Sequence, residues 1–131
     1  MKALDTNVLV RFLVNDDPQQ AKRVTDLFTS AEEDGDRFLV PTIVLLELIW
    51  VLESVYEFSR NEIVEACELL AQMPVLSFEN YAVLQRLIAF GRTTHAHLPD
   101  LLIGLTGQSS GCELTLTFER GLEKTGLFER M

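Results

Sequence analysis

Phe38-Leu39-Val40-Pro41-Thr42-Ile43-Val44-Leu45-Leu46-Glu47-Leu48-Ile49-Trp50-Val51-Leu52 is the stretch that decides the fold. Phe38-Leu39-Val40 reads as a short strand, and Pro41, which has no backbone N–H to donate, stops it. From Thr42 to about Glu57 the chain reads as a helix that is apolar on nearly every side, which predicts burial in a core or an interface. One residue breaks the run: Glu47. A buried carboxylate is costly unless it is paired, hydrogen-bonded or bound to a metal.

Strands and helices alternate outward from this stretch. On the N-terminal side, Lys2 to Leu4 reads as a first strand and Thr6 to Leu13 as a short helix. Asp16-Asp17-Pro18 opens a second helix, with Asp17 as its cap and Pro18 in its first turn. Val24, Leu27, Phe28 and Ala31 share one face of that helix, and Asp34-Gly35-Asp36 turns the chain. On the C-terminal side, Ser59-Arg60-Asn61-Glu62 forms a capping box for a helix burying Ile63, Cys67 and Leu70. A third strand follows at Val75 to Phe78, a helix marked by Val83, Leu84, Leu87 and Ile88, and another helix from Pro99 to about Gln108. Leu114 to Phe118 is the fourth strand, and a short helix runs from Arg120 to Gly126. This alternation predicts a parallel sheet with helices on both faces, in which ligands gather at the carboxyl ends of the strands.

Three further acids share the unusual placement of Glu47. Asp5 ends the first strand, Asp100 opens the apolar Leu101-Leu102-Ile103, and Glu119 follows the fourth strand. The topology can bring all four together. Hard oxygen ligands select Mg²⁺ or Mn²⁺ over zinc or copper. Carboxylates about 4 Å apart would repel by roughly 4 kcal/mol at an effective dielectric near 20, which bound cations relieve. Such ions can also generate hydroxide and stabilise charge on a phosphodiester. Each acid taken singly has an ordinary reading as well. Asp5 could cap the first helix, Glu47 could pair with Arg11 or Arg86, Asp100 could favour a helix N-terminus, and Glu119 could be an exposed turn residue. His95 and His97 lie next to Asp100 in sequence and are read as surface or supporting residues.

Composition narrows the function. The chain has 131 residues, 47% of them hydrophobic, and a net charge of −9. This fits one globular domain over 1–131 and argues against nucleic-acid binding driven by a broad basic surface. Arg11, Lys22, Arg23, Arg86 and Arg92 could contact phosphates, but the sequence does not place them around one groove. Cys67 and Cys112 have no zinc-type spacing and read as ordinary reduced thiols. No apolar run is long enough to span a membrane, and Asp5 and Arg11 break the only candidate signal segment, so a cytoplasmic protein is expected. The helix at Thr42–Leu52 and the one near Leu84–Phe90 are candidates for a dimer interface.

Asp5-Thr6-Asn7-Val8-Leu9, the lone Glu47 in an apolar helix, Pro99-Asp100-Leu101-Leu102-Ile103 and Thr117-Phe118-Glu119 together resemble the PIN-domain family, in particular its VapC-type toxins of bacterial toxin–antitoxin pairs. The resemblance runs over essentially the whole chain. It implies a three-layer α/β/α sandwich around a mainly parallel sheet of four to five strands, and a Mg²⁺- or Mn²⁺-dependent endoribonuclease cutting structured RNA. Asp5, Glu47, Asp100 and Glu119 would be the catalytic acids and metal ligands, directly or through water. Thr6, Asn7 and Thr117 would orient them by hydrogen bonds. The partners implied are RNA and a small antitoxin with a DNA-binding domain, around a homodimer that forms a heterotetramer or larger assembly. Two departures stand out. Glu119 replaces the family's usual aspartate, and His97 stands where many relatives carry another acid. These weaken the second metal position and imply one tightly held ion, with a second arriving with RNA. The alternatives are a housekeeping RNA-processing nuclease of the same family, or a catalytically weak PIN domain acting as a binding partner.

Overall fold

The computed structural model describes all 131 residues. The elements run β1 (Lys2–Ala3), α1 (Thr6–Leu13), α2 (Pro18–Asp34), β2 (Phe38–Val40), α3 (Thr42–Ser54), α4 (Arg60–Ala71), β3 (Leu76–Phe78), α5 (Tyr81–Thr93), α6 (Leu98–Ser109), β4 (Thr115–Thr117), a 3₁₀ turn (Leu122–Thr125) and β5 (Phe128–Arg130). Every strand pairing is parallel, as the alternation of elements requires: Lys2 faces Phe38, Phe38 faces Leu76, and Thr115 faces Phe128. The strands form two ladders, β1-β2-β3 and β4-β5. β1 contributes only two residues before the chain turns into α1, so no rung joins it to β4. The architecture is the α/β/α sandwich expected.

Local chemistry sets the helix starts. Asp17 accepts from the Gln20 amide at 3.1 Å, with Pro18 in the first turn of α2. Ser59 and Glu62 form the reciprocal capping box of α4, at 3.2 and 2.9 Å. These bonds hold the Glu62 carboxyl below its ordinary pKa, first through the Ser59 backbone amide. The core is chiefly leucine: Leu9, Leu48, Leu52, Leu70, Leu84 and Leu101 are essentially sealed from solvent, each contributing about 1.5–3 kcal/mol of burial. Phe28 of α2 packs on Phe12 and on Phe38 of β2, with ring centroids 5.3 and 5.9 Å apart.

Three expectations change. First, α3 stops at Ser54 rather than near Glu57. The Phe58 amide turns back to the Leu52 carbonyl at 2.9 Å, and Glu57 takes a left-handed φ of 56°. Second, α3 is not buried all round. Leu45, Leu48, Ile49 and Leu52 face the core, while Ile43 and Trp50 are 74% and 59% exposed on the face that carries Glu47. Third, Leu84 and Leu87, in the other candidate interface helix, are used up by the core. Only α3 keeps a solvent-facing apolar stripe of the two. No helix is long and apolar enough to cross a membrane.

Candidate functional site

α3 packs against α1, α4 and α6. It therefore touches both the helix that Asp5 caps and the helix whose first turn carries Asp100. Asp5 is the N-cap of α1, and its Oδ1 accepts from the Thr6 amide at 2.8 Å. Asp100 sits in the first turn of α6, where the helix dipole favours negative charge. Glu119 follows β4, and its amide donates to Thr117 Oγ1 at 3.0 Å.

The acids are not buried, contrary to what their apolar neighbours in sequence suggest. Asp5, Glu47 and Glu119 are exposed, and the Asp100 side chain is 28% exposed. Each apolar run has a solvent side once folded, and the acid takes it. The structure also divides the four. Asp5 and Glu47 line a cleft of about 310 Å³ with Thr6, Asn7, Arg11 and Tyr56. Asp100 and Glu119 line another, of about 560 Å³, with His95, His97, Arg120 and Lys124. No three carboxyl, imidazole or thiol groups converge closely enough to share one ion as they stand.

The ordinary pairing proposed for Glu47 does not occur. Arg11 is held by Asp16 at 3.0 Å, Gln20 at 2.6 Å and the Tyr56 hydroxyl at 3.3 Å; the Tyr56 contact is the main reason its pKa is raised. Arg86 bonds Gln108 and lies over the Phe90 ring. Lys22 pairs with Asp26, and Arg92 with Glu68. Asp5, Glu47 and Glu119 thus have no cationic partner, and Asp100 has only His97 Nδ1 at 3.8 Å. Hard, unpaired oxygen donors are the chemistry that suits Mg²⁺ or Mn²⁺. Thr6 Oγ1 is also buried beside Asp5 without a partner, a group that a water-filled or ion-filled cleft would satisfy.

The expected supporting residues behave unequally. Thr117 orients the backbone of Glu119. Thr6 reaches Asp5 through its amide rather than its hydroxyl. Asn7 lines the cleft, and its side chain bonds to no protein group.

His97, read as a supporting residue, bridges elements: its Nε2 is 2.8 Å from Glu53 Oε1 at the end of α3. Two groups escaped the sequence reading. Arg60 donates to the carbonyls of Gly91, Thr94 and Ala96 and so pins the loop that carries both histidines. Arg120 and Lys124 line the Asp100–Glu119 cleft. The i, i+4 spacing of these two cations directly after Glu119 was the available signal.

The family model for the PIN domain matches residues 2–127. The chain is also similar to a "VapC ribonuclease" from Aquifex aeolicus (strain VF5), 25% identical over 126 residues that cover 96% of this chain and 93% of that protein.

Proposed function

The chain belongs to the PIN-domain family, and on that premise we propose that it is a metal-dependent endoribonuclease serving as the toxin of a toxin–antitoxin pair, formed by a single domain over residues 1–131. The observation that carries the reading is the set of four motif carboxylates left without a Lys or Arg partner in two surface clefts. The relative's name, a ribonuclease, supports the substrate class.

In this reading Asp5, Glu47, Asp100 and Glu119 would hold Mg²⁺ or Mn²⁺, directly or through water. When bound, the cation supplies Lewis-acid polarisation of the phosphodiester and a water of lowered pKa. The Thr6 amide orients the Asp5 carboxylate and Thr117 holds the Glu119 backbone, so two of the four are positioned by hydrogen bonds. Thr6 and Asn7 line the wall beside Asp5. The phosphodiester belongs to a structured RNA, in the cytoplasm.

The acidic clefts and the net charge of −9 suit an antitoxin whose arginine-bearing tail crosses them and whose other part binds DNA. The exposed Ile43 and Trp50 suit a homodimer that assembles further with it. The toxin role is tested by induced expression in a bacterial host without antitoxin. Growth should stop, and Asp5→Ala should release it. Growth unaffected by the unaltered protein would remove the toxin role. The division of the carboxylates between two clefts favours one second reading: a weakly catalytic PIN domain that binds a regulatory partner.

A further inference from the structure

Most of the cations in this acidic protein are already engaged. Five have no hydrogen-bond or ion-pair partner: Lys2, Arg23, Arg120, Lys124 and Arg130. Two of these five line the one cleft that also holds Asp100 and Glu119. A flexible cation beside an unpaired carboxylate gains by collapsing onto it, yet neither Arg120 nor Lys124 forms an ion pair with either acid.

Gly121 takes a φ of 95°, a conformation that costs glycine little. Its amide donates to Glu123 Oε2 at 2.9 Å, and the Lys124 amide donates to the Gly121 carbonyl at 3.2 Å. Arg120 and Lys124 flank this tight reversal, and both line the cleft. Arg60 fixes the segment from Thr94 to Ala96, which lines the same cleft, through its carbonyls. The cleft thus brings together two motif acids, two cations without partners and a loop held by Arg60.

We propose that Arg120 and Lys124 form a phosphate subsite that takes a backbone phosphate flanking the scissile one in a single-stranded stretch of polynucleotide. The guanidinium supplies two parallel donors to phosphate oxygens and the ammonium a compact charge. The subsite rests on the ribonuclease reading above. It explains how so acidic a protein holds a polyanion without a broad basic face: two cations placed beside the reacting carboxylates replace a surface field.

The test is steady-state cleavage, by the full chain in Mn²⁺, of a structured RNA hairpin whose loop supplies the single-stranded stretch, taken from the fragments cut in total cellular RNA, across salt from about 50 to about 200 mM. The unaltered protein is compared with Arg120→Ala/Lys124→Ala, Arg120→Lys/Lys124→Arg and Lys22→Ala. The double alanine variant should raise KM about tenfold with kcat changed less than about twofold. Its dependence of log KM on log salt should flatten by about 0.7, the value for one single-strand phosphate contact. The exchanged-cation variant should keep the slope, and Lys22→Ala should keep both slope and KM. An unchanged KM and slope in the double alanine variant overturns the subsite alone. A fall in kcat at constant KM also overturns it, since that marks displaced Glu119. Equal flattening in Lys22→Ala overturns it by making the effect one of net charge. No cleavage by the unaltered protein overturns the ribonuclease reading and the subsite with it.

Discussion

Arg60 Nη1 donates to the Ala96 carbonyl at 2.5 Å, binding the first turn of α4 to the loop that leads into α6. The same guanidinium reaches the carbonyls of Gly91 and Thr94 at 3.0 Å each. No carboxylate shares it, and burial lowers its pKa against the pull of Glu53. One side chain therefore holds the loop that leads into the first turn of α6, where Asp100 sits.

Arg60→Ala should destabilise the protein by roughly 2 kcal/mol, a value well below the sum for three charge-assisted bonds because the group is partly solvated. Arg60→Lys should recover little of it, since one ammonium cannot span three carbonyls in the plane a guanidinium offers. Urea denaturation of both variants checks this. Full recovery by lysine would mean that charge alone matters.

Glu57 sits at φ 56°, where a Cβ is crowded. Glu57→Gly should stabilise by about 0.5–1 kcal/mol, the relief of strain exceeding the added chain entropy. The midpoint of thermal unfolding should rise accordingly; a fall would show that the Glu57 side chain contributes a contact that outweighs its strain.

The two thiols should differ sharply. Cys67 is buried in the core, and burial pushes its pKa up to about 12, while Cys112 is exposed. A thiol reagent at about pH 8 should modify only Cys112 in the folded protein and both after unfolding. The linkage sign follows. Above about pH 8.5 the unfolded chain loses the Cys67 proton while the folded chain keeps it, so the unfolded state binds fewer protons. The stability from this site is complete below that pH and falls as pH rises toward about 12, by up to about 1.4 kcal/mol per unit. A pH series of denaturation midpoints, with Cys67→Ser as reference, measures it.

Ile43 lies on the same exposed face of α3 as Glu47 and Trp50. Ile43→Glu should leave stability of the isolated chain within about 0.5 kcal/mol, because nothing within the chain covers it. If this stripe is the homodimer surface, the variant should sediment as a monomer at concentrations where the unaltered protein is a dimer. An unchanged sedimentation coefficient would place the dimer contact elsewhere.

Much of the fold is legible in the sequence because the signals are local. The Ser59–Glu62 box, the Asp17-Pro18 start and the Phe38–Val40 strand each state their structure within a few residues. β5 is not legible, since Phe128-Glu129-Arg130 has no alternation of its own. It becomes a strand by pairing with β4 and by the room Gly104 leaves, where a Cβ would come within 2.8 Å of the Phe128 ring. The four acids stand out by type and order, but not by burial. A helix apolar on nearly every side cannot say which face will meet water, and for α3 that face carries Glu47. Arg60 is silent for a related reason: its partners lie 31 to 36 residues away and are carbonyls, which no residue type announces.

The most direct test of the account is cleavage of total cellular RNA by the purified, antitoxin-free chain with Mg²⁺, with Mn²⁺ and with EDTA, beside Asp100→Asn and Glu119→Asp. Discrete fragments are predicted that vanish with EDTA and with Asp100→Asn, a loss of at least about 10- to 100-fold, and that persist with Glu119→Asp. Cleavage that survives EDTA or Asp100→Asn, or no cleavage with either metal, would contradict the claim that these carboxylates hold a catalytic cation.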